Sequence, residues 1–241
     1  MYFYSACDAE LVGQWPFGDY GGTDISGNHN HATLTLTSLM TDGPPGTSHG
    51  ATYVTGEDYS AIMIPASSSL DVRTGFTLVG KVKPDGVNGW LWAWDHCVAH
   101  NWVTHVYLGW TDPVNLYSLV IAVDRVLPGP TLWNNDVAQG VWIDFGVSFD
   151  SVAGNLTLRL GDKMVSKMHS LYKNLEVCAQ TDAYIGSWMA DPDGPRNYAG
   201  GVADYCLYDE VLDLYSDDFL NYCKGNFVVQ NTFLKTKLPL Q

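Results

Sequence analysis

The chain has 241 residues, 46% of them hydrophobic and only 16% charged, which suffices to bury the core of one large domain and excludes a disordered chain. Its formal net charge is −14 with only 12 Lys and Arg, so it lacks the clustered cations that a phosphate backbone or an anionic membrane surface demands. No apolar run reaches the roughly 18 residues that cross a bilayer, and the five cysteines (7, 97, 178, 206, 223) form no Cys-x-x-Cys pair of the kind that binds structural zinc.

Met1 to Cys7 is too short and too uncharged for a complete secretory leader. From there the chain reads as period-two strands between Gly, Pro, Asn and Asp turns. Leu11 to Phe17 is the first strand, and Asp24-Ile25-Ser26-Gly27-Asn28-His29-Asn30 is a tight turn. A second turn follows at Asp42-Gly43-Pro44-Pro45-Gly46. Phe76, Leu78, Gly80 and Val82 share one face of a strand, and Thr77, Val79, Lys81 and Lys83 share the other. Trp90, Trp92 and Trp94 then fall on one strand face. Such a stripe fills space between sheets more often than it stacks on a sugar, so the core is expected to claim at least two of the three. His96, Cys97, His100 and His105 have zinc-ligand residue types but no standard spacing, and a loop between strands accounts for them.

Phe145, Val147 and Phe149 form another apolar face, and a hairpin from Asp150 to Asn155 leads to Leu156, Leu158 and Leu160. Tyr184 to Ser187 is a strand, Asp191 to Tyr198 a Pro/Gly loop, and Gly200 to Leu212 a long strand ending on acidic residues. Residues 213–224 have the pattern of one short helix with Ser216 as N-cap. The acidic excess is nearly all Asp, with Glu only at 10, 57, 176 and 210; that bias marks turns and suits cation binding. One apolar face per strand is what two packed antiparallel sheets require. The expected fold is therefore a single all-β sandwich over 1–225, with at most one short helix. The tail, 226–241, adds an edge strand or contacts a partner.

The residues Leu11-Val12-Gly13-Gln14-Trp15-Pro16-Phe17, the Ser26-Gly27-Asn28 turn, the Gly75-to-Pro84 strand, the Trp142-to-Asp150 strand with its hairpin, and Gly200-Gly201-Val202-Ala203-Asp204-Tyr205-Cys206-Leu207-Tyr208-Asp209 resemble, in order, the segments of a laminin-G-like or pentraxin-like (concanavalin A-like) jelly roll. The matching segments run from residue 11 to residue 223. The resemblance implies a secreted, extracellular, non-enzymatic binding module. It also implies a structural calcium held by Asp24, Asn28 and Asp204, with Asp19 and the Gly27 backbone as additions; the alternative is that Asp24 and Asn28 cap turns while Asp204 accepts backbone N–H bonds. The pentraxin pattern of calcium ligands is not present. Because jelly-roll termini lie close together, the resemblance further implies a Cys7–Cys223 bridge, leaving Cys97 with Cys178 and Cys206 free.

A glycan is the expected ligand, held by the loop residues Asp191, Asp193, Arg196, Asn197 and Tyr198 with Trp188 and Trp133 as neighbours; an ordinary turn explains the same Pro and Gly. Asn155-Leu156-Thr157 fits an N-glycosylation acceptor. The closely spaced carboxyl pair of a sandwich glycosidase is absent, as are the Gly-x-Ser-x-Gly and His-Glu-x-x-His motifs. A self-assembling matrix or adhesion protein, acting as a homo-oligomer, is the second reading, and a polysaccharide lyase is the third.

Overall fold

Strand alternation drives the chain into two antiparallel sheets. A computed structural model describes residues 10–85, 89–94, 104–111, 116–122, 131–134, 137–174, 177, 179–187, 197–216, 219, 221 and 223. The strands are β1 (Leu11–Trp15), β2 (Thr33–Thr35), β3 (Thr37–Met40), β4 (Ala51–Thr55), β5 (Ala61–Ile64), β6 (Gly75–Pro84), β7 (Gly89–Trp94), β8 (His105–Thr111), β9 (Leu116–Ala122), β10 (Thr131–Asn134), β11 (Ile143–Asp150), β12 (Asn155–Leu160), β13 (Lys163–Met168), β14 (Ala183–Gly186) and β15 (Ala199–Tyr208). One sheet runs β13-β12-β11-β6-β15-β4-β3, and β1 lies beside the second half of β15. The other runs β10-β9-β8-β7-β14-β5-β2. The fold is an all-β jelly-roll sandwich, and helix among the described residues is of 3-10 type only, at 18–20, 68–70 and 170–172 and at residues 219 and 221.

The core lies between the sheets. Phe76, Leu78 and Val82 of β6, the β11 residues Phe145, Val147 and Phe149, and the three leucines of β12 face Leu91, Trp92, Trp94, Val106 and Leu108. Aromatic rings bind the two sheets together: Trp15 lies 5.7 Å from Trp92, Trp92 5.5 Å from Trp94, and Trp94 5.1 Å from Phe76 between ring centroids. Trp90 departs from the expected single stripe. Register slips between Trp90 and Trp92, and Trp90 packs edge-on against His105 and Tyr107 instead of joining the main cluster. An inserted residue reverses the side-chain phase, which separates it from its two neighbours.

A second slip governs the outer face of the larger sheet. Pairing of β15 with β6 breaks between Ala203 and Cys206, where Asp204 has φ +52°. Val202 and Tyr205 consequently both point into the core, Tyr205 against Phe17 and Phe145, and Cys206 points outward. Gly80 makes room for this, since a Cβ there would stand 2.7 Å from the Tyr205 ring and 2.8 Å from Phe145.

The segment after β15 folds back over that outer face. Leu214 and Phe219 cover Val79, Cys206 and Tyr208. Thr77 Oγ1 donates to the Glu210 carbonyl (2.7 Å) and accepts from Leu212 N (2.8 Å). Arg159 donates to the Leu214 carbonyl (2.6 Å), and its guanidinium sits 4.4 Å from the centre of the Phe219 ring.

Cys206 forms a disulfide with Cys223, with a Cα–Cα distance of 5.7 Å. This corrects the expected Cys7–Cys223 bridge and the free Cys206: the slip turns Cys206 out to meet the returning segment. Cys7, Cys97 and Cys178 lie outside the described residues, as does 226–241. Where it is described, the expected helix over 213–224 is a turn and bend at 214–216 and 3-10 conformation at 219 and 221, with Ser216 N donating to Asp213 O and Phe219 N to Ser216 O. A disulfide spanning 17 residues contributes about 3 kcal/mol in the loop-entropy account. Replacing Cys206 and Cys223 together by Ser should lower stability by about that amount in urea titration, and proteolysis should then cut first after Tyr208.

Candidate functional site

Three short polar turns gather at the edge where β1 leaves the first sheet. In the first, Asp24 is nearly buried and both its carboxylate oxygens are filled. Oδ1 accepts from Gln14 N and Ser26 N, each at 2.9 Å; Oδ2 accepts from Ser26 Oγ (2.9 Å) and Asn30 N (2.8 Å). Asn28 donates its side-chain amide to the carbonyls of Leu11 and Val12, and Asn30 donates to Val12 and accepts from Ser67. The carbonyl of Asn30 accepts from the Trp15 indole at 2.7 Å, tying this turn to the core.

The second turn is strained. Phe17 is fully buried at φ 62°, ψ −152°, a region that side chains rarely occupy. It throws Gly18–Tyr20 out as one 3-10 turn, closed by Tyr20 N donating to Phe17 O. The third turn runs from Asp42 to Gly50 and meets the second through Asp19 N donating to His49 O at 2.7 Å. Gly18, at φ +54°, is required there, because a Cβ would stand 2.0 Å from the His49 carbonyl oxygen.

Between these two turns lies an open cleft of about 330 Å³ lined by Asp19, Tyr20, Ser48 and His49. Tyr20 is 47% exposed and packs edge-on against His49, with ring centroids 5.8 Å apart. No side-chain hydrogen bond joins Asp19, Tyr20 or Ser48 to another described residue, so a carboxylate, a phenol and a hydroxyl face the cleft open to a ligand. His49 is fixed from behind: its Nε2 lies 3.1 Å from Asp204 Oδ1, while its buried Nδ1 has no partner among the described residues. Asp204 Oδ2 accepts from Lys81 Nζ at 3.0 Å, and Lys81 lies 3.7 Å from Asp144. Burial pushes the Asp144 carboxyl above its ordinary range against the pull of Lys81. Farther along the same face, Lys83 donates to Asp42 at 2.6 Å, which holds the Asp42 carboxyl below the usual range.

The residues expected to hold calcium do not fit the ion. Calcium needs six to eight oxygen ligands, whereas the Asp24 oxygens already accept four hydrogen bonds and Asp204 faces Lys81 and His49. Among the described residues, no group of three His, Cys, Asp or Glu converges as a metal site. Asp24 caps its own turn, Asn28 ties that turn to β1, Asp19 lines the cleft, and Asp204 anchors His49.

Of the expected ligand loop, Asp191, Asp193, Arg196 and Trp188 lie outside the described residues, as does the Trp133 side chain. Asn197 is partly exposed and donates to Asp58 at 3.4 Å. Tyr198 is a correction: it is fully buried in the core and its hydroxyl donates to the Gly201 carbonyl at 3.0 Å, so its ring is closed to a ligand. Asn155 opens β12 half-buried and accepts from Ser166 Oγ at 2.8 Å. Sequence reasoning missed Tyr20, Ser48 and His49; the available signal was Gly18 and Gly50 flanking short aromatic and hydroxyl-bearing turns.

No family model matches the chain, and no curated protein sequence does. Solved structures share its fold at low identity. Domain 4 of AbnA, an extracellular arabinanase of Geobacillus stearothermophilus solved with arabinotriose, is 16% identical at a TM-score of 0.56, over 86% of this chain and 95% of that one. A heptameric SAP-like pentraxin from Limulus polyphemus is 14% identical at 0.51, over 63% of this chain and 68% of that one. The receptor-binding domain of a botulinum neurotoxin of mosaic serotype C/D is 9% identical at 0.60, over 91% of this chain and about half (51%) of that one. These likenesses establish the concanavalin A-like jelly-roll fold.

Replacing Asp24 by Ala orphans four donors, two of them on buried residues, and should cost about 2–4 kcal/mol in denaturant unfolding; calcium or chelator should leave the melting temperature unchanged. For Asp144, the folded carboxyl titrates above its unfolded counterpart, so the folded state binds more protons there and stability falls as pH rises through the carboxylate range. Asp144→Asn removes that ionisation. Its stability relative to wild type should therefore rise from acidic pH to pH 7, read from paired melting curves.

Proposed function

We propose that this jelly-roll domain is a non-enzymatic carbohydrate-binding module of an extracellular protein, with its sugar site in the Asp19–Tyr20–Ser48–His49 cleft. The observation that carries this reading is the convergence of Asp19 and Ser48, whose side chains have no partner among the described residues, on the exposed ring and phenol of Tyr20. Sugar recognition uses that combination: a ring against the apolar C–H face, with carboxylate and hydroxyl groups taking the sugar hydroxyls. The cleft is preformed. The Phe17 turn and the Asp204–His49 contact hold its two walls before any ligand arrives, which limits the ordering cost of binding.

The AbnA domain that shares the fold was solved with a bound arabino-oligosaccharide, which supports a sugar as the ligand class. A disulfide fastening the outer face suits an oxidising, extracellular setting. No helix among the described residues is long and apolar enough to cross a membrane.

Binding to a broad glycan array should be seen for wild type and lost for Tyr20→Ala. For the best sugar, titration calorimetry should give at least about a tenfold loss, or 1.4 kcal/mol. Because Tyr20 is exposed, the variant should melt as wild type does. Array binding that survives Tyr20→Ala unchanged would place the sugar elsewhere, and no binding by wild type would sink the reading.

A further inference from the structure

The charges around the cleft are lopsided. Among the described residues, its lining holds one carboxylate, Asp19, and no Lys or Arg. The Asp204 carboxylate stands directly behind the His49 ring. Both lysines on the adjoining face are already engaged: Lys81 with Asp204 and Asp144, and Lys83 with Asp42. Lys81 and Lys83 are also mostly buried, at 16% and 22% side-chain exposure, so neither can swing to a ligand without abandoning a carboxylate. The chain as a whole carries −14.

We infer that the cleft selects uncharged sugars and rejects acidic ones. This rests on the reading of the cleft as a sugar site. The chemistry is a matter of matching donors to acceptors. A carboxylate is acceptor-only, so Asp19 is satisfied by the O–H groups of a neutral sugar, two vicinal hydroxyls filling its two oxygens. The Tyr20 phenol and the Ser48 hydroxyl either donate or accept, and complete the set for a diol. A uronate, sialate or sulfate adds an acceptor-only group and a negative charge to the hydroxyls it shares with a neutral sugar. It requires a guanidinium or ammonium to offset its lost hydration, and the described lining supplies none. It would instead face Asp19 at close range, the repulsive element by which a site discriminates between ligands of similar shape.

The test uses the whole chain with two probe sets at neutral pH. One is neutral: arabinotriose, cellotriose and N-acetylchitotriose. The other is acidic: trigalacturonate and sialyllactose. Affinities are measured for wild type, Asp19→Asn and Tyr20→Ala at low and at physiological salt, with melting curves as the folding control. Wild type should bind a neutral probe and neither acidic one. Asp19→Asn should raise the acidic-to-neutral affinity ratio by about five- to tenfold at low salt, the size of one exposed like-charge contact, and by less when salt screens it. Tyr20→Ala should abolish all binding.

If acidic probes bind wild type as well as neutral ones and binding depends on Tyr20, the selectivity is overturned while the cleft remains a sugar site. An affinity ratio that Asp19→Asn does not move overturns the role of Asp19. If neither probe set binds, or if binding ignores both substitutions, the cleft is not the sugar site and the inference falls with it.

Discussion

The slip in β15 at Asp204 is the constraint from which most of the molecule follows. β15 is central, flanked by β6 on one side and by β4 and β1 on the other. Adding one residue to a central strand is costly unless each displaced side chain finds a use. Here each one does. Tyr205 fills the core between Phe17 and Phe145, Cys206 reaches the disulfide on the outer face, and Asp204 receives Lys81 and His49. A strand continuing in register from Val202 would place both the tyrosine and the cysteine on the wrong side.

That geometry explains how a site is held rigid on loops. The cleft is built from two turns that share no strand pairing, and loops alone position groups loosely. Each turn is instead fastened to the sandwich by a residue paying a conformational cost: Phe17 at positive φ under Tyr20, and Asp204 at positive φ under His49. The two anchors touch within the core, where the Phe17 ring meets that of Tyr205, next to Asp204 in the chain. The walls of the cleft are thus braced against each other through the interior. The turn around Asp24 plays a complementary part, using a carboxylate as a hub for N–H groups where an ion would otherwise have to organise the chain.

Much of the fold was legible because burial writes alternation into a strand: Phe76, Leu78 and Val82, or Phe145, Val147 and Phe149, admit one phase only. The failures occur where phase slips. Trp90 and Cys206 each lie beside a register shift, and a shift leaves no mark in residue types, since the same letters describe the strand with or without it. Asp24 shows a different limit. An acidic, Asn- and Gly-rich turn has the composition both of an ion site and of a self-satisfied knot of N–H donors, and only the directions of Gln14, Ser26 and Asn30 distinguish the two. Tyr20 and His49 come from separate turns brought together by tertiary packing, so no local spacing could join them.

β2 and β3 form the outer edges of the two sheets, and only Leu36 separates them in the chain. The stretch from Ile25 to Thr41 that supplies both contains no Asp, Glu, Lys or Arg, and Leu36 and Leu39 stand 53% and 57% exposed. Edges of this kind are normally guarded by charge, as β13 at the far side is by Lys163 and Lys167. The β2–β3 flank therefore lacks the charged guard that β13 carries. When the domain is partly unfolded or highly concentrated, intermolecular sheet extension starts from the β2–β3 flank, which makes it the place where solubility can be engineered without touching the cleft.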